Sequence, residues 1–106
     1  MAKYLIAASY TAEGAKGLLK EGGTKRRQAA EQAIKSAGGT LEAFYFAFGD
    51  TDVVAIVDAP DHATMTAASL AINASGAVHV KTSVLLTPEE VDLATKKGTI
   101  YQPPGR

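Results

Sequence analysis

The sequence predicts an α+β protein of the split βαβ, or ferredoxin-like, arrangement. Strand, helix, strand, strand, helix and strand would form a four-stranded antiparallel sheet with two helices on one face, followed by a short C-terminal helix and an extended tail. Three observations carry this. Val53-Val54-Ala55-Ile56-Val57 is apolar and mostly β-branched at consecutive positions, so neither face of that segment suits water and it reads as a central strand. The segments around it switch between two-residue and helical periods. Thr87-Pro88-Glu89-Glu90 places a capping threonine, a first-turn proline and two acids where a helix start wants them.

The first strand is Tyr4 to Tyr10, with Tyr4, Ile6, Ala8 and Tyr10 on one face and Leu5, Ala7 and Ser9 on the other. Both faces are mostly apolar, which makes it a second central strand. Thr11 to Gly23 holds Gly14, Gly17, Gly22 and Gly23 around Leu18-Leu19 and reads as a loop with at most one helical turn. From Thr24, a capping residue, Ala30, Ala33, Ile34 and Ala37 recur at helical spacing until Gly38-Gly39 stops the run, so a helix is expected over 24–37. Its first turn carries Lys25, Arg26 and Arg27, the unfavourable sign for the positive end of a helix dipole. Such a cluster suits an anion, although a solvated basic face explains it with less.

Leu41 to Phe48 is the second strand, with Phe44, Phe46 and Phe48 on one face. Gly49-Asp50-Thr51-Asp52 turns the chain back into the central strand, which ends at Ala59-Pro60. Asp61 caps a second helix that carries Met65, Ala68 and Ile72 and stops at Gly76. Its many alanines call for large side chains beneath, and the phenylalanines are the expected filling. In the last strand Val78, Val80, Thr82, Val84 and Leu86 alternate with His79, Lys81, Ser83 and Leu85, as in an edge strand or a pocket wall. The final helix ends at Lys96-Lys97-Gly98, and Pro103-Pro104 keeps the tail extended.

The whole chain of 106 residues reads as one domain, residues 1–106, with the C-terminal helix and tail over 87–106. Eleven basic residues balance eleven acidic ones, so charge argues for neither nucleic acid nor an anionic membrane as partner. Cysteine is absent, which removes thiolate nucleophiles and thiolate metal sites. Two histidines without i, i+4 ligand spacing suggest no metal and no other cofactor. The apolar run at Tyr4-Leu5-Ile6-Ala7-Ala8 is too short for a signal-peptide core, and a cytoplasmic protein is expected. With helices on one side only, the other apolar sheet face needs a cover, and the expected partner is a second copy, in a homo-oligomer that Ile100-Tyr101 helps to clasp.

The run Tyr45 to Asp61, YFAFGDTDVVAIVDAPD, resembles the GYD family of small proteins, named for a Gly-Tyr-Asp signature. The likeness extends to Tyr10-Thr11-Ala12-Glu13-Gly14 and to Tyr101-Gln102-Pro103-Pro104-Gly105. An extra residue separates Gly49 from Asp52, and Thr51 stands where the family often has tyrosine. The resemblance implies a branch of the dimeric α/β-barrel group, paired sheet to sheet, and brings with it no defined activity and no catalytic residue.

Tyr4, Thr11, Gly14, Tyr45, Asp58, His79 and Lys81 are the candidate ligand-binding residues. His79 shares a strand face with Lys81 and Ser83, lines a cavity with Tyr45 or Tyr4 if the sheet brings them together, and is the only catalytic candidate. No partner for it is visible, and a lone strand histidine is more often a structural hydrogen-bonder or a surface residue; His62, beside a helix cap, is weaker still. Asp58 breaks an otherwise apolar strand and calls for a partner such as Lys81 or a tyrosine hydroxyl. Asp50 and Asp52 are turn aspartates, expected to bond backbone N–H groups. The glycines of residues 14–23 match no phosphate-loop fingerprint and read as a turn or a lid. Two functions follow: an oligomeric small-ligand-binding or interaction module, or a dimeric α/β-barrel-type enzyme acting on a small hydrophobic or aromatic substrate with His79 as acid or base.

Overall fold

A computed structural model describes residues 2–106. β1 (Ala2–Tyr10) leads through α1 (Ala12–Glu21) and α2 (Gly23–Ser36) to β2 (Thr40–Phe46) and β3 (Val53–Ala59), then through α3 (His62–Ala74) to β4 (Val78–Leu85) and α4 (Pro88–Thr95). The strands form one antiparallel sheet in the order β2-β3-β1-β4, so the two doubly apolar strands are the central pair. The fold is the α+β ferredoxin-like arrangement that the sequence predicts.

Tyr4, Ile6 and Ala8 of β1 and Val53, Ala55, Val57 and Ala59 of β3 turn to the helices and are buried, most of them with Ile34 of α2, Leu41 of β2 and Met65 and Ala68 of α3 in a common core. The other face carries Leu5, Ala7, Val54 and Ile56, all half-buried, at its centre. Leu5 pairs with Ile56 and Ala7 with Val54, so these four side chains form one contiguous apolar patch.

One segment corrects the sequence reading. Residues 12–21 are a helix, not a loop. Thr11 caps it, accepting from the Gly14 N–H at 3.2 Å, and donates its hydroxyl to the carbonyl of Gly76 at 3.0 Å; its own N–H reaches Ala77 O at 3.0 Å. A Cβ at Gly14 would stand 2.0 Å from that same Ala77 oxygen, so glycine here buys close docking of α1 on the α3–β4 turn. Gly22, at φ +83, then ends α1 and begins α2 without an intervening loop. The cap and the docking outweigh the poor helix propensity of Gly14 and Gly17, about 1 kcal/mol each.

The phenylalanines also differ from expectation. β2 ends at Phe46, and Phe48 lies in the turn at φ +53, stacked on Phe46 at 5.7 Å and largely exposed. Phe44 and Phe46 meet edge to face at 5.4 Å, and Phe46 lies against the start of α2 at Gly23. They therefore fill space under α2, whereas α3 leans mainly on β4. α4 begins with the expected capping box, but every residue from Leu86 to Gln102 is exposed. This arm accounts for a radius of gyration of 16.8 Å, against about 13 Å for a compact chain of this length.

Candidate functional site

The helix layer closes incompletely. α2 settles over β2 and α3 over β4, and three of the five α2 residues that line the gap, Ala29, Ala30 and Ala33, are too short to bridge it, the others being Arg26 and Ile34. Below lies an apolar slot of about 140 Å³, floored by Ile6, Ala55 and Val57 and bounded by Met65 and Ile72 of α3. Ala29 and Ala33 on its rim are exposed, so the slot opens to solvent between the helices. Arg26, Tyr10 and Ser69 bring the few polar groups to its wall. Arg26 stands in the first turn of α2 and its Nη1 lies 3.4 Å from Glu21 Oε2; Ser69 shares a 3.0 Å hydrogen bond with Thr82.

A second, more open groove of about 390 Å³ runs between α3 and β4. At its end the hydroxyl of Tyr4, a residue only 2% exposed, lies 2.5 Å from His62 Nδ1, with the two rings edge to face at 5.7 Å. Asp61 caps α3 by accepting from the Thr64 N–H at 2.7 Å, which sets His62 in the first turn over β1 and holds the Asp61 carboxyl below its ordinary pKa.

The seven residues singled out from sequence fall in three separate places. Tyr4 is on the helix face. Thr11 and Gly14 anchor α1 at the end of the sheet. Tyr45, Asp58, His79 and Lys81 are on the open face. Tyr45 and Lys81 lie in one cross-strand row, Tyr45–Val54–Ala7–Lys81, but at opposite edges, about 14 Å apart at the usual strand spacing. His79 is exposed and, among the described residues, forms no side-chain hydrogen bond. Tyr4, on the other face of the sheet, cannot share a pocket with it.

Asp58 has a partner, though neither Lys81 nor a tyrosine. β1 lies between β3 and β4, and its Lys3, directly opposite Asp58, places Nζ 3.2 Å from Asp58 Oδ1 and also pairs with Glu42. Glu42 reaches this group because a bulge between Leu41 and Ala43 gives β2 one extra residue. The Glu42 and Asp58 carboxylates raise the Lys3 pKa, while a hydrogen bond with the Glu42 side chain and then the Lys3 ammonium hold Asp58 below the usual carboxylate range. Asp52 bonds a backbone N–H as a turn aspartate should, but a distant one: its carboxylate accepts from Tyr10 at 2.8 Å and ties the turn to the end of β1. Among the described residues, no group of three His, Cys, Asp or Glu side chains is placed to hold a metal ion.

The slot and the Tyr4–His62 pair escaped the sequence reading. Their signals were present but indirect: a helix face of alanines over small strand residues, and a tyrosine as the first inward side chain of a central strand.

Fold and geometry together define a small α+β protein with one sheet face roofed by helices over a slot and the other bare. A family model for the GYD domain matches residues 4–94, and the chain belongs to the GYD domain family. The likeness at Tyr101 to Gly105 lies beyond the matched residues. No curated protein and no solved structure gives a match. No helix among the described residues is long and apolar enough to cross a membrane.

Proposed function

We propose that the protein is a non-catalytic module that binds a small apolar ligand in the slot between α2 and α3 and works as a homo-oligomer through its open sheet face. The slot carries this reading: an apolar space of about 140 Å³ between sheet and helices is a feature that packing alone would remove. The oligomer rests on the patch of Leu5, Ala7, Val54 and Ile56, and on an arm that exposes Leu93, Ile100 and Tyr101 to 63%, 101% and 72%. A second copy stacked on the patch would remove both from water. Acid–base chemistry at His79 finds no support in its exposed position at the edge of the sheet.

Titration of the ¹⁵N-labelled full chain with toluene, followed by amide shifts, tests the binding. Saturable shifts are expected at Ala30, Ala55 and Ile72 and not at Ile56 or Tyr45. A response confined to the open face, or none, would refute the slot as a binding site.

A further inference from the structure

We propose that the slot is built for a small monocarboxylate, with a ring or branched aliphatic group of about benzene size in the cavity and the carboxylate on Arg26. The inference rests on the slot as a binding site and adds the chemistry of what enters it. Size sets the apolar part: about 140 Å³ is close to the roughly 150 Å³ of an apolar protein cavity that accepts benzene. Charge sets the rest. Among the described residues Arg26 is the one charged residue on the wall, so a cationic ligand would meet no acid and a doubly charged phosphate would meet a single cation.

Arg26 is also available. One nitrogen, Nη1, faces Glu21 at a long 3.4 Å, and a guanidinium has five N–H donors in a planar fork that suits a carboxylate. Its neighbour Arg27 turns away to Glu31, at 3.5 Å. Tyr10 lines the same end of the slot, since β1 ends there, with Tyr10 opposite Val78 and Ala8 opposite Val53. The basic first turn of α2, an unfavourable placement when read along the sequence, thus stands at the polar end of an apolar cavity. The strain of that placement is what a bound anion would relieve.

Calorimetric titration of the full chain with sodium benzoate, benzamide and toluene tests this. Benzoate is expected to bind at least tenfold more tightly than benzamide, and Arg26→Gln to abolish that preference while leaving the benzamide affinity within twofold. Arg26→Lys, which keeps the charge and loses the fork, should retain a reduced preference and guards against a folding defect in the glutamine variant. If benzamide and toluene bind as well as benzoate, the carboxylate assignment falls and the slot remains a binding site. If the preference survives in Arg26→Gln, the role of Arg26 falls. If none of the three binds, both the assignment and the slot reading fall.

Discussion

On the helix side of the sheet Tyr4, Val57 and Ala59 keep 2%, 1% and 1% of their surface, while one residue along the same strands Leu5 and Ile56 on the opposite side stay half-buried. No helix among the described elements packs over that second face. The two faces are nearly matched in apolar content at β1 and β3, so hydrophobicity alone does not decide which is roofed. What differs is the finish. The helix face is closed by α2, with alanines along the gap, and by α3, and the two leave a slot; the open face is bordered by Lys3, Glu42 and Asp58 at one end and by His79 and Lys81 at the other. An apolar centre with a charged border fits the interface proposed for the open face, and an apolar slot with a single cation fits the ligand site proposed for the other.

The sharpest way to break this division is to cut a methyl-bearing side chain from each face of β3. Val57→Ala is expected to lower the stability measured by urea unfolding by about 2–3 kcal/mol at every protein concentration, because it opens a void in a filled part of the core. Ile56→Ala, measured at a concentration low enough to keep chains apart, should cost under about 1 kcal/mol, since the side chain is only partly covered within one chain. Equal losses would show that the faces are not distinct. A second pair asks what holds the helix layer in place. Gly14→Ala should destabilise by about 2 kcal/mol, because the new Cβ would run into backbone rather than a movable side chain. Gly17→Ala, with nothing within 4 Å, should stabilise by up to about 1 kcal/mol in the same urea unfolding.

Smaller effects refine the picture. Tyr4→Phe removes the hydroxyl that meets His62 and should lower stability by about 1 kcal/mol, with the His62 imidazole resonances shifting in the NMR spectrum. On the open face the Lys3–Asp58–Glu42 group sets a pH dependence. Asp58 titrates lower in the folded chain than in the unfolded one, so its contribution is present above the unfolded carboxylate pKa, near 4, and fades as pH falls through the folded value. Lys3 titrates higher when folded, so its contribution is lost only as pH rises past its ordinary value of 10.5. Lys3→Met should therefore flatten part of the acid limb of the stability profile below about pH 4, the Glu42 hydrogen bond with Asp58 remaining, and an unchanged limb would show that Lys3 is not coupled to folding.

Much of the fold was legible in local patterns. The doubly apolar runs at Val53 to Val57 and Tyr4 to Tyr10 mark central strands because only a strand flanked and covered on both sides tolerates them, and they are the central pair. The capping box at Thr87 is a short-range signal and it survives intact. α1 was hidden because glycine at 14 and 17 reads as a breaker, while the reason Gly14 belongs in a helix is the Ala77 carbonyl, sixty-three residues away in sequence and visible only in three dimensions. The candidate residues suffered from the same limit. Alternation places Tyr4 and His79 on faces of their own strands, but nothing local says whether two strands present matching phases to one side. Here the register pairs His79 with Ser9, which puts it opposite to Tyr4. The partner of Asp58 was misjudged for the same reason, since the neighbour of β3 is β1 and not β4.

Sedimentation equilibrium of the native chain and of Ile56→Lys, from micromolar to millimolar concentration, tests the division of the two faces most directly. The native protein is expected to sediment with at least twice the 11.0 kDa of one chain, and the lysine variant, with a charge at the centre of the open patch, as 11.0 kDa. A native protein that stays at 11.0 kDa across that range would contradict the account, because the apolar patch would then face water unaided.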